Sequence, residues 1–170
     1  ADQTLRLELN CDADNPQLWI ITLFHLGQSL ALSDVVPILE HLGLKVLGEH
    51  SYKVTPIINE QSCEFYLHHF SVQPLYWHGA DCTAVSDLFV DAFKAVWHKR
   101  CESDSFNRLV LAANMPYYAA NMFRAYAVYL KQTLFFLGVE AISDALLKHA
   151  KAAAALWRLF EARFNPAGVS

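Results

Sequence analysis

The chain has 170 residues, with 13 Lys+Arg against 17 Asp+Glu and a formal charge of -4 when its eight His are neutral. That length suits one domain or two small ones, and with 54% hydrophobic and 18% charged residues the chain is too apolar to be disordered. Its pI is near 6.0 and its basic groups are short, Lys99-Arg100 and Lys148 with Lys151. It therefore lacks the clustered Lys/Arg that a nucleic-acid or anionic-membrane surface needs.

Cys11, Cys63, Cys82 and Cys101 are widely spaced and form no Cys-x-x-Cys pair, so four free thiols in a reducing cytosol are expected. No apolar leader with a small-residue cleavage site is present. The missing initiator Met and a strand-like run within a few residues of Ala1 suggest a piece excised from something longer.

In chain order, Leu5-Arg6-Leu7-Glu8-Leu9 alternates apolar with polar at period two, the pattern of a half-buried strand. Asp12 to Pro16 follows as a turn, and the β-rich run Leu18 to His25 completes a hairpin. Gly27 ends that strand. Ser33 is placed to cap the next helix, Asp34 suits its first turn, and Pro37 falls in or near that turn. Val35, Ile38, Leu39 and Leu42 share one face, and Gly43 fits a left-handed helix end. Leu44 to Leu47, Tyr52 to Ile58 and Cys63 to Val72 are expected as three further strands.

The composition shifts across Gln73 to Ala80, and from about residue 82 the pattern is helical throughout. Val85, Leu88, Phe89, Ala92, Phe93, Val96 and Trp97 form one stripe, with Asp87, Asp91, Lys94, His98 and Lys99 away from it. A Ser or Asp of Glu102-Ser103-Asp104 can cap a helix over Phe106 to Ala113. Tyr117 to about Leu137 and Ile142 to Phe164 follow, the latter with Ser143 as its cap. Ala152 to Ala155 favours helix and permits close approach of a neighbour. Leu109 to Val139 contains only Arg124 and Lys131 as formal charges, yet Asn114, Pro116, Asn121 and Gln132 also interrupt it. It is not the unbroken run of about 20 apolar residues that spans a bilayer. Helices buried in protein or against a partner are expected instead, the Tyr117 helix being apolar over most of its circumference.

The fold class is accordingly α+β: a strand-rich unit with one helix over residues 1–80, then an all-α segment over 81–170 whose first helix packs on the sheet.

No Gly-x-Gly-x-x-Gly follows a strand, no Gly-Lys-Ser/Thr loop occurs, and there is no His-Glu-x-x-His. With six glycines in the chain, a self-contained nucleotide-binding enzyme is excluded. His68, His69 and His78 are close in sequence, and Cys63 or Cys82 would add sulfur, but His68 and His69 point to opposite faces of a strand. Structural histidines are the simpler reading, and a Cys63 nucleophile with His68 or His69 as base lacks an orienting third group. Asp87 and Asp91 are one turn apart but on a polar face, which makes them a solvated surface. Arg124 stands in an apolar helix, where a guanidinium needs a partner. Asp104 or Glu102 is the internal choice, and an interface is the external one. Tyr117, Tyr118, Phe123, Tyr126, Tyr129, Phe135 and Phe136 exceed what one thin helical layer buries, so a partner surface is expected in addition to core.

Three segments, Ala31 to Leu47, Glu102 to Ala113 and Arg124 to Gln132, together with Leu159 to Pro166, resemble the large bacterial NAD-specific glutamate dehydrogenases. The part matched is the stretch ahead of their catalytic domain. The resemblance implies an antiparallel, ferredoxin-like ACT module followed by a helical segment. It also implies a parent enzyme that deaminates L-glutamate oxidatively to 2-oxoglutarate and ammonia with NAD. No catalytic, cofactor-binding or metal residue carries over, because the substrate lysine and the dinucleotide fold belong to a downstream domain. Two departures stand out. The family has a Gly and a Trp-Arg pair around Asn114 to Tyr118, and a Pro where Ala150 stands.

Two functions follow as expectations. The first is a non-catalytic regulatory and assembly segment of a cytoplasmic homo-oligomer, whose partners are the other domains and subunits of the parent. The second is an amino-acid-binding sensor, in which Leu26-Gly27-Gln28-Ser29-Leu30 and the free amides of the following helix meet a ligand carboxylate. Capping by Ser33 is the plainer use of those amides. An independent enzyme is the third and weakest reading.

Overall fold

A computed structural model of the chain describes residues 5–12, 15, 17–58, 61–77, 82–133 and 136–165. Strands β1 (Leu5–Cys11) and β2 (Trp19–Leu26) form the expected antiparallel hairpin, with Leu7 opposite Leu23. The turn between them lies partly outside the described residues. Helix α1 (Leu32–His41) then crosses over to β3 (Leu44–Val54), and β6 (Phe65–Pro74) returns between β2 and β3. The sheet order is therefore β1-β2-β6-β3, antiparallel throughout. A small hairpin of β4 (Ile57–Ile58) and β5 (Gln61–Ser62) bridges β3 and β6.

The side chains explain this arrangement. Leu5, Leu7 and Leu9 alternate into the core, as do Trp19, Ile21 and Leu23, and Phe70 and Val72 complete the inner face. Helix α1 lays Val35, Ile38 and Leu39 on that face, and α2 (Thr83–Trp97) adds Val85, Phe89, Ala92 and Phe93 to the same cluster. Each such aliphatic or aromatic side chain contributes about 1.5–3 kcal/mol when fully buried. Asp87 and Asp91 are exposed on the far side of α2, as a solvated face requires. Gly43 closes α1 with φ +87, the left-handed conformation expected of it.

Five local expectations are corrected. First, Leu44 to Leu47 and Tyr52 to Ile58 are not two separate strands: β3 joins the first to residues 52–54, with a bulge between Val46 and Gly48, and Ile57–Ile58 belongs to the short strand β4. Second, Ser33 does not cap α1. Ala31 is the N-cap residue and makes no side-chain cap bond, and Pro37 lies inside the helix. Third, the region after Asp104 is a 3-10 turn (Ser105–Arg108) leading into the short α3 (Leu109–Ala112). Fourth, α4 covers Tyr117–Gln132, and the last helix is two, α5 (Val139–Lys148) and α6 (Ala150–Phe164). Ser143 sits buried within α5 rather than capping it. Ala150 occupies the first position of α6, where proline is favoured because its missing N–H is not needed.

Fifth, Cys11 and Cys82 are not free thiols but form a disulfide, 71 residues apart in sequence with Cα atoms 5.8 Å apart. Local spacing carried no sign of it, because only the sheet topology brings the end of β1 to the start of α2. Cys63 and Cys101 are free.

A second cluster gathers Phe106, Leu109, Met115, Phe123 and Ala153, joining the 3-10 turn to α4 and α6. No helix among the described residues is long and apolar enough to cross a membrane.

Candidate functional site

Three places carry unusual chemistry or exposure. The first is centred on Arg124. Its Nε donates to Asp104 Oδ2 at 2.6 Å and its Nη2 to Asp104 Oδ1 at 2.8 Å, a bidentate pair. Nη2 also donates to Asn107 Oδ1 at 2.8 Å, while Nη1 reaches Asn121 Oδ1 and, at 3.8 Å, Cys101 Sγ. Asp104 is the internal partner that the sequence required, and Glu102 takes part only through its backbone carbonyl at 3.5 Å. All five guanidinium donors are thus engaged.

Asp104 does two jobs, since its Oδ1 also accepts the Phe106 N–H at 3.0 Å and caps the 3-10 turn. Burial works to lower the Arg124 pKa, but the hydrogen bonds and charge of Asp104 outweigh it and raise it above the ordinary value. Burial likewise pushes the Cys101 thiol up, against the weaker pull of the Arg124 charge. That thiol donates to Asn121 Oδ1 at 3.0 Å. An open hollow of about 500 Å³ lies beside Arg124. With every donor of Arg124 already engaged, this node fastens α4 to the 102–107 turn and presents no free cation to a ligand.

The second place is the loop before α1. Its anchor is His68, 2% exposed, whose Nε2 accepts the Leu30 backbone N–H at 3.2 Å and lies 3.3 Å from Ser29 Oγ. Accepting at Nε2 puts the ring proton on Nδ1, which donates to Glu49 Oε1 at 2.9 Å. His25 Nδ1 donates to the Gln28 carbonyl at 2.8 Å. Two histidines from neighbouring strands therefore hold Gly27 to Leu30 against the sheet. His69 points to the opposite face, 3.5 Å from Thr22 Oγ1, as strand alternation requires.

The bulge in β3 places Glu49. By pairing, Val46 faces Val72 and Glu49 faces Phe70, so even-numbered residues point inward before the bulge and odd-numbered ones after it. Simple alternation from Leu44 would have turned His50 inward and left Glu49 outside. This is why sequence reasoning missed the relay. No group of three or more His, Cys, Asp or Glu among the described residues is placed to hold a metal. His78 lies outside the described residues. Cys63, although free, is not among the hydrogen-bond partners of His68 or His69.

The third place is a groove of about 380 Å³ between α4, α5 and α6. Met122, Phe123, Tyr126, Leu146, Leu159 and Phe160 are among its lining residues. Arg163 is the one charged residue along it among the described residues. Along it Leu156 is 51%, Phe164 58% and Leu159 64% exposed. Aromatic rings pave the neighbouring surface, with Trp157 stacked on Phe160 at 5.8 Å and Tyr126 edge-on to it at 6.4 Å. Of the aromatic side chains read from the sequence as a surplus, Tyr118, Tyr126, Tyr129 and Phe136 are exposed and Phe123 is buried, while Phe135 lies outside the described residues.

Comparison with known proteins places the two halves of this geometry in one setting. Residues 4–81 match the family described as glutamate dehydrogenase, ACT3 domain, and residues 101–166 match glutamate dehydrogenase, helical motif 3. The chain is 40% identical over 142 residues to the NAD-specific glutamate dehydrogenase of Pseudomonas aeruginosa, covering 84% of this chain. It is 35% identical over 147 residues to that of Halomonas elongata and 32% over 151 residues to that of Mycobacterium tuberculosis, covering 86% of the chain in each case. The chain spans only 9% of the length of each of these relatives.

Proposed function

Because the chain belongs to the glutamate dehydrogenase family, as a piece made of its ACT3 domain and helical motif 3, we propose that it is a non-catalytic regulatory and assembly segment. The parent would be an NAD-dependent enzyme that converts L-glutamate to 2-oxoglutarate and ammonia in the cytoplasm. Its partners are the other domains and subunits of a homo-oligomer.

The observation that carries this reading is the outward-facing apolar groove of α4, α5 and α6. An exposed apolar surface of this kind marks an interaction site in a soluble protein. The relatives supply an occupant, since nine-tenths of their polypeptide lies outside the part matched here. The residues themselves do not fit a dinucleotide. Their sheet is antiparallel, whereas a pyrophosphate cradle forms where a parallel strand turns into a helix. No step involving NAD is therefore assigned to them.

The test is Leu159→Asp combined with Phe160→Ser in the full-length parent, read by light scattering coupled to size exclusion and by glutamate-dependent NADH formation. Loss of the assembled species, with the far-UV circular dichroism of the segment retained, supports the assembly role. An unchanged oligomer with unchanged turnover refutes it.

One observation favours the second reading, an amino-acid-binding ACT-like sensor acting allosterically. No side chain caps α1, so its opening amides are not taken by Ser33. A calorimetric panel of glutamate, aspartate and arginine tests this reading. Saturable heat that is lost on substitution of Ser29 supports a sensor, and the absence of heat from all three rejects it.

A further inference from the structure

We propose that His68 is a proton-operated latch on the loop from Gly27 to Ala31, independent of what the groove or the loop binds. In the latched state the ring is neutral at Nε2, because that nitrogen accepts the buried Leu30 N–H. Imidazole is the side chain that takes up a proton between pH 5 and 8. A proton arriving at Nε2 turns the acceptor into a donor, so the Leu30 N–H loses its partner. Ser29 Oγ, 3.3 Å away, can rotate to accept the new N–H, and Glu49 at Nδ1 stays in place as the counter-charge. Protonation thus hands His68 from the Leu30 amide to the Ser29 hydroxyl and loosens the entry to α1.

The surrounding charges leave this handover to His68. On β3 the inward neighbours are Glu49 and, toward the open end, Lys53, which is paired to Glu64 at 2.6 Å. On β2 the neighbour is His25, and on β6 itself Tyr66. The loop residues 27–31 carry no charge, and the first acid of α1 is Asp34. His25 differs from His68 in kind. Its contact with the loop is a donation from Nδ1 to the Gln28 carbonyl, which survives protonation at its other nitrogen. Only the His68 contact is broken by a proton.

The experiment is a ¹⁵N NMR titration of the chain from pH 8 to pH 5, with hydrogen exchange of backbone amides read as protection factors. The His68 ring nitrogens and the Leu30 amide should titrate with one midpoint, and Leu30 protection should fall about tenfold or more across it, as befits a buried donor left unpaired. In H68Q the carboxamide oxygen accepts the Leu30 N–H but does not titrate, so Leu30 protection should become flat with pH. S29A covers the case in which H68Q fails to fold. It should leave Leu30 protected at pH 8 and move the midpoint to lower pH, because the protonated ring has lost its new acceptor. Leu30 protection retained to pH 5, a Leu30 profile unchanged in H68Q, or an unshifted midpoint in S29A overturns the proposal.

Discussion

Removing the Asp104 carboxylate should be the most damaging single change outside the apolar core. In Asp104→Ala two losses coincide. The Phe106 N–H loses its cap, worth about 1 kcal/mol, and Arg124 loses both bonds of its bidentate pair. Breaking a fully buried pair costs about 3–5 kcal/mol. The Arg124 side chain is 13% exposed but that of Asp104 is 31%, so water reaches the site and about 2–3 kcal/mol is the fitting figure. The sum is about 3–4 kcal/mol. With a urea slope of about 2 kcal/mol/M, the unfolding midpoint followed by tryptophan fluorescence should fall by about 1.5–2 M. Asp104→Asn keeps an oxygen for the cap and should lose only about half as much. Replacing both partners, Arg124→Met with Asp104→Asn, should recover stability relative to the sum of the singles by more than about 1 kcal/mol, since no uncompensated charge is then left inside. A loss below about 1 kcal/mol in Asp104→Ala, or singles that add within about 0.5 kcal/mol, would refute the view that Arg124 is held by this carboxylate.

Other features give further expected outcomes. The Cys11–Cys82 bridge closes a loop of 71 residues' separation, for which chain entropy predicts about 4 kcal/mol of stabilisation. Urea midpoints with and without reductant, and intact mass after alkylation, should show that loss together with two extra modified thiols. Cys101 has its pKa raised by burial above the thiol value of 9.0, so the folded chain holds this proton longer than the unfolded one. Its contribution to stability is therefore full below pH 9 and is lost as pH rises through the folded value. Cys101→Ser, by removing the thiol, should flatten that alkaline limb in stability measured from pH 8 to pH 11. In Gly43→Ala the left-handed φ of +87 and a methyl group 3.0 Å from the Tyr76 ring combine. The backbone alone costs about 1–2 kcal/mol, and thermal unfolding should show at least that much loss.

What could be read from the sequence depended on whether the cause was periodic or topological. The strand alternation of Leu5 to Leu9, the α2 stripe and the need of Arg124 for an acid all express rules that act on neighbouring residues or on burial itself, and the structure agrees with them. Ser33 and Ser143 failed as caps because many serines near a helix start satisfy the local pattern, while packing decides where the first turn begins. The disulfide and the Glu49–His68–Leu30 relay were illegible for a stronger reason. Each joins residues that meet only once the sheet order β1-β2-β6-β3 is set, and the relay needs the β3 bulge as well. Because the extra residue Leu47 is absorbed by a bulge, His68 faces a carboxylate and not another histidine. Deleting Leu47 should therefore leave the relay intact. Val46 stays opposite Val72, Gly48 takes the outward place opposite Ser71, and Glu49 stays inward opposite Phe70. The His68 Nδ1 proton then keeps its carboxylate, and the Leu30 amide should keep its protection at pH 8 in the same hydrogen-exchange measurement. Loss of that protection on deleting Leu47 would mean that Glu49 is not placed by the register.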